Sequence, residues 1–196
     1  MRLWFKSQTF RPVADTVPPG PNGLIEEYLG TAPNNLVFPG VSTCTTLSVL
    51  LANNTLVGAH LSALCTAADI ATICAKMTEL ANGQGATKIA IIGVLRYVGG
   101  TNTRGGVAYT STPQYTFPAK LTTFAGAFGL TAADVNYYDQ AGGTDKHYQV
   151  RAVGGGNITA YYRDVGTVQV GGGTSSAPYV STGIWSHLPL LSVLPG

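Results

Sequence analysis

The chain of 196 residues has a formal charge of only +2; charged residues make up 10% of it and hydrophobic ones 45%, where an average soluble protein is roughly 25% charged. That length suits one domain with a real core, and so weak a charge, without any Lys/Arg run, excludes the basic field that holds phosphate backbones, so no nucleic-acid partner is expected. No apolar stretch approaches the ~20 residues of a membrane-spanning helix; the longest, Ile89 to Leu95, is interrupted by Gly93.

Met1 to Asp15 has basic residues but no apolar h-region and no small-residue cleavage site, so no cleavable signal peptide is expected. Pro12, Pro18, Pro19, Pro21 and Pro33 mark residues 1–35 as an extended arm, with at most a helical turn about Leu24 to Leu29, ahead of a single domain over 36–196. Cys44 to Leu51 and Thr55 to Leu61, flanking Ala52-Asn53-Asn54, predict a β-hairpin. Thr66 to Ala81 predicts a helix, with Ile70, Ile73, Met77 and Leu80 on its apolar face, Asp69 in its first turn and Asn82-Gly83 as its stop. Lys88 to Val98 reads as a buried strand and Gly99 to Gln114 as a loop. Pro118 to Gly129 reads as a second helix that ends at Gly129. The last third is β-like over Asp134 to Tyr138, His147 to Ala152, Ile158 to Asp164 and Thr167 to Val170; Gly154-Gly155-Gly156 and Gly171-Gly172-Gly173 are hairpin ends, and the Pro/Ser-rich tail covers the core or stays loose. Together these elements predict an α+β fold, a single-domain β-sandwich-like mixed sheet with two packed helices.

The chemistry concentrates in Val41-Ser42-Thr43-Cys44-Thr45-Thr46 and, sixteen residues after the cysteine, Gly58-Ala59-His60. If Cys44 begins one arm of the hairpin and His60 ends the other, pairing brings them nearly opposite, with Cβ atoms about 4.5 to 5.5 Å apart. Such contact is what a cysteine nucleophile needs, because the thiolate attacks and an adjacent imidazole both accepts the thiol proton and stabilises the anion. Pro39-Gly40 permits a sharp approach whose backbone N–H groups can line an oxyanion hole.

These segments resemble the Cys-His core of the catalytic domain of the cytotoxic necrotizing factors, where a Ser-Gly-Cys-Thr-Thr run is followed by a strand pair and a histidine at similar distance. They also resemble the chemoreceptor glutamine deamidases (the CheD family), whose Gly-Ser-Cys signature leads into a hairpin ending at the catalytic histidine. The second likeness extends in element order from about Leu36 to Asp164. The resemblance implies Cys44 as nucleophile and His60 as base of a protein-glutamine deamidase acting through a thioester, with no metal and no cofactor. It implies a protein substrate presenting a glutamine, such as a small GTPase or another regulatory protein. The Cys-Thr-Thr match favours a bacterial toxin or effector, made in the cytoplasm and secreted or injected without a cleavable signal; a signalling deamidase of the chemoreceptor type is the alternative, and transglutamination a related reaction. Phe38 stands where the chemoreceptor enzymes carry a threonine six positions before the cysteine. The third member is therefore sought in a backbone carbonyl or in the hydroxyl of Ser42 or Thr45, with Thr43 beside them as a further orienting or oxyanion-hole candidate.

The rival from another class is a non-enzymatic β-rich binding or structural protein, in which Cys44 is buried and unreactive. Three cysteines without a CxxC pair argue against a disulfide framework or zinc site. Cys65 and Cys74 read as core residues facing different directions, and His147 and His187 as surface or structural.

Overall fold

A computed structural model describes residues 3–7, 9–13, 22–41, 44–61, 65, 67–93, 100–104, 107–111, 124–139, 146–170, 173–181 and 184–190. In chain order the strands are β1 (Leu3–Ser7), β2 (Thr9–Val13), β3 (Tyr28–Pro33), β4 (Asn35–Val41), β5 (Thr45–Leu51) and β6 (Thr55–Leu61), then helix α1 (Ala67–Ala81). They continue with β7 (Ala86–Gly93), β8 (Gly100–Arg104), β9 (Val107–Ser111), β10 (Val135–Asp139), β11 (Lys146–Ala152), β12 (Ile158–Val170), β13 (Gly173–Ser181) and β14 (Ser186–His187). A seven-stranded sheet runs β10-β7-β5-β6-β3-β1-β2, a second sheet runs β13-β12-β11-β4 with β14 on β12, and β8 pairs with β9 alone. The architecture is a mixed α+β sandwich, built mostly of strands.

Both faces of the first sheet are covered. Alternation along each strand sends Leu47, Val49, Val57 and Ala59 to one side, where they meet Ile70, Ile73, Cys74 and Met77 of α1 and Phe124. It sends Leu50, Leu56, Ala90 and Ile92 to the other, where Leu36, Phe38, Tyr148, Val150 and Ala160 of the second sheet close over them. A sheet covered on two faces needs strands apolar at nearly every position, and six of the seven residues in each of β5 and β6 are buried.

The central hairpin is joined by a three-residue loop. The Asn54 N–H donates to the Leu51 carbonyl at 2.9 Å and Asn54 takes φ +63°, a type I turn followed by a left-handed residue. Past 124–127, which is helical, Leu130 N–H donates to Ala125 O and Gly129 N–H to Gly126 O, with Gly129 at φ +69°, so the expected stop at Gly129 is a Schellman cap. The earlier part of that helix lies outside the described residues. At the β11–β12 turn Gly154, Gly155 and Gly156 all have positive φ, as their sequence predicts for a hairpin end.

Four expectations need correction. The arm expected over 1–35 instead supplies β1, β2 and β3 to the first sheet, with β3 paired to β6. Among the described prolines, Pro12 lies on the sheet's edge strand and Pro33 ends β3, positions where proline is tolerated; Pro18, Pro19 and Pro21 lie outside the described residues. The loop expected over Gly99 to Gln114 contains the β8–β9 ribbon, consistent with the Thr and Val content of Thr101, Thr103 and Val107. The tail carries β13 and β14, and Thr167 to Val170 belongs to the same strand as Ile158 to Asp164.

Candidate active site

Cys44 is 3% exposed at the entry to β5, and His60 is 2% exposed near the end of β6. In the observed register Thr46, not Cys44, lies directly opposite His60, and Leu50 opposite Leu56. The loop is centred on Asn53, one residue later than a pairing of Cys44 with His60 requires, and each such step moves the partner by two. Cys44 and His60 are therefore diagonal neighbours on one face, a relation of about 7–8 Å that a long or aromatic side chain spans. That face is the one turned toward the second sheet, where Cys44 joins the inter-sheet core.

The imidazole is positioned from outside the hairpin. His60 Nδ1 lies 3.0 Å from the carbonyl oxygen of Leu24; since a carbonyl only accepts, Nδ1 donates, and the neutral ring keeps its proton-accepting lone pair on Nε2. Leu24 is fixed in turn, because its N–H donates to Val37 O at 2.7 Å, and the Glu27 N–H donates to His60 O at 2.8 Å. The segment ahead of β3 thus ties β4 of one sheet to β6 of the other through His60. Phe38 packs T-shaped against the ring, with centroids 6.0 Å apart and planes at 86°. Phe38 reaches it because Gly58 has no Cβ: an added methyl there would lie 2.5 Å from Leu36 Cδ1 and 3.2 Å from Phe38 Cζ.

Of the hydroxyl candidates, Ser42 and Thr43 lie outside the described residues. Thr45 alternates with Leu47 and Val49 onto the helix-facing side, away from Cys44 and the His60 ring, so its hydroxyl does not orient the imidazole. Residues that sequence reasoning passed over stand on the right face. Thr46 and Ser48 are fully buried in line with Cys44, and neither hydroxyl has a hydrogen-bond partner among the described residues. Strand parity from Cys44 would have found both.

Other candidates take structural places. Cys65 and Cys74 enter the same helix-side core, contrary to the expectation that they face apart, and burial pushes the Cys74 thiol up to about 12. All three cysteines are free thiols. A cleft of about 200 Å³, open solvent included, abuts His60 between Tyr28, Leu61, Cys65 and Ile73; Cys44 is not among its walls. His147 is buried, its Nδ1 accepting the Gly40 N–H at 3.3 Å, whereas His187 is exposed and packs T-shaped with Tyr161.

Among the described residues no group of three or more His, Cys, Asp or Glu is placed to hold a metal ion, and no helix is long and apolar enough to cross a membrane. No protein-family model, curated protein or solved structure matches the chain.

Proposed function

We propose that the chain is a Cys-His hydrolase that deamidates a glutamine side chain of a protein substrate, in the manner of the necrotizing-factor and chemoreceptor deamidases, and that it acts as a bacterial toxin or effector on a host regulatory protein. The observation that carries this reading is the hydrogen bond from His60 Nδ1 to the Leu24 carbonyl. It presents Nε2 as the basic nitrogen on the sheet face that also bears Cys44.

In this mechanism Nε2 takes the thiol proton, and sulfur attacks the carboxamide carbon to form a tetrahedral oxyanion. The C–N bond then breaks, with the imidazolium giving its proton to departing ammonia, which leaves a thioester. A water that loses its proton to Nε2 attacks the thioester carbon, the C–S bond breaks with the imidazolium returning that proton to sulfur, and glutamate is released with the thiol restored. The main-chain bond at Nδ1 keeps one tautomer through both half-reactions. No cofactor enters.

The burial of Cys44 and its place in the inter-sheet core favour a second reading, a non-enzymatic β-rich binding protein with a structural cysteine. Alkylation separates the two. As an enzyme, the chain reacts with iodoacetamide selectively at Cys44 well below the free-thiol pKa of about 8.5, and His60→Ala removes that selectivity. Uniform sluggishness of all three cysteines, or unchanged Cys44 labelling in His60→Ala, rules the dyad out. Mass spectrometry of candidate substrates supplies the second arm: wild type converts a glutamine to glutamate and Cys44→Ser does not.

A further inference from the structure

The outer face of the second sheet carries a positive charge that the dyad does not use. Arg163 on β12 stands directly across from His147 on β11, and its guanidinium lies 4.2 Å from the ring centroid of Trp185. Its Nε is buried with no hydrogen-bond partner among the described residues, and that desolvation lowers the group's pKa from its ordinary value. The other cations nearby are already satisfied. Arg151 stacks on Tyr161 at 4.3 Å and donates from Nε to Gln149 Oε1 at 2.7 Å, and Lys146 pairs with Asp164 at 2.6 Å. A half-buried guanidinium without a counter-charge is costly unless an anion completes it, whereas stacking on an indole face leaves its in-plane N–H donors able to take a planar oxyanion in a two-pronged contact.

We propose that Arg163, backed by Trp185, anchors a binding site for the carboxylate of an acidic side chain on a polypeptide partner. A carboxylate fits better than a phosphate. One guanidinium matches one negative charge, and Lys146, already paired with Asp164, offers no second one. A polypeptide fits better than a small acid because Ile184, 87% exposed beside Trp185, offers apolar contact next to the charge. Arginine and tryptophan are also the residues that most often dominate protein interfaces. The site lies toward the dyad's end of the sandwich: His147, across from Arg163, receives the Gly40 N–H, and Val41, next in β4, pairs with Lys146 just before the chain turns to Cys44.

The test needs no catalytic activity. In the full-length ¹⁵N-labelled chain, the indole N–H signals of the two tryptophans are assigned with Trp4→Phe. The protein is then titrated at constant ionic strength with a capped apolar peptide bearing one glutamate, with its glutamine counterpart, and with sodium phosphate. The expected result is a saturable shift of the Trp185 signal with the glutamate peptide alone, weakened roughly ten-fold or more in Arg163→Lys and lost in Arg163→Gln. The proposal is overturned if both peptides shift Trp185 equally, if the glutamate peptide gives no shift, if phosphate shifts it and the glutamate peptide does not, or if the response survives in Arg163→Gln. The comparison of the two peptides on the wild-type chain stands even where a variant fails to fold.

Discussion

Because the ring of His60 is held by the main-chain oxygen of Leu24, no side-chain replacement at position 24 deletes that contact directly. Such an orienter leaves no trace in composition or motif. With Phe38 in a threonine's place, the sequence leaves a backbone carbonyl and a nearby hydroxyl as alternatives, and the contact described at Nδ1 is the Leu24 carbonyl. The neighbouring hydroxyls are open to direct test. Thr46 is fully buried opposite His60 with an unbonded hydroxyl, and burying such a group costs about 1–3 kcal/mol. Thr46→Val is therefore expected to leave the urea midpoint unchanged or to raise stability by about 1 kcal/mol. Loss of glutamine deamidation in a Thr46→Val chain that folds as well as wild type would assign the hydroxyl to the site's chemistry. Thr45, one position earlier, has the same composition and the opposite face, a difference that parity along the strand decides and a motif match does not.

At the scale of elements, the hairpin, α1, β7 and the β11–β12 pair follow from periodicity, because each is long, strongly patterned and bounded by Asn or Gly. The pairing register did not follow, since it depends on where the loop residues turn: Asn54 adopting φ +63° moved the centre by one position. β1, β2 and β3 were hidden by prolines, which argue against a central strand and are harmless at an edge or an end. The contact between the two sheets is most exposed to perturbation at Gly58, where the missing Cβ admits Leu36 and Phe38. Gly58→Ala is expected to destabilise by about 1–3 kcal/mol, the usual cost of overpacking. Because Phe38 also closes on the His60 ring, it should lower Cys44 alkylation as well. Equilibrium urea unfolding reads the first effect and iodoacetamide labelling at fixed pH the second.

For the molecule as a whole, the core between the first sheet and α1 is one source of alkaline sensitivity. Burial holds the Cys74 thiol up at about 12, well above a free thiol, and raises Tyr137 above an ordinary tyrosine in the same core. A group whose proton is held more tightly in the folded state contributes stability that is complete below its unfolded pKa and disappears as pH rises toward the folded one. Thermal stability is thus expected to hold to about pH 9 and to fall between there and pH 12. In Cys74→Val the decline should begin later, near pH 10, where the tyrosines take over. A pH series of melting curves for the two chains measures the difference, and coincident curves would remove Cys74 from the account.

The pairing of β7 with β10 is parallel, matching Val135 to Ile89 and Asp139 to Gly93, and a parallel partner is reached only by a long crossover. Closing such a loop is slow compared with the roughly 1–10 μs of a hairpin. β5 and β6 therefore bring Cys44 and His60 together early, within a short stretch of chain. The surroundings of the thiol come later: Tyr138 of β10 and Tyr148 of β11 pack in the same core as Cys44 and arrive only with those distant strands. During synthesis and refolding, the Cys44 thiol passes through an interval in which it is made but not yet housed, open to any oxidant or electrophile that meets the chain before the last strands dock.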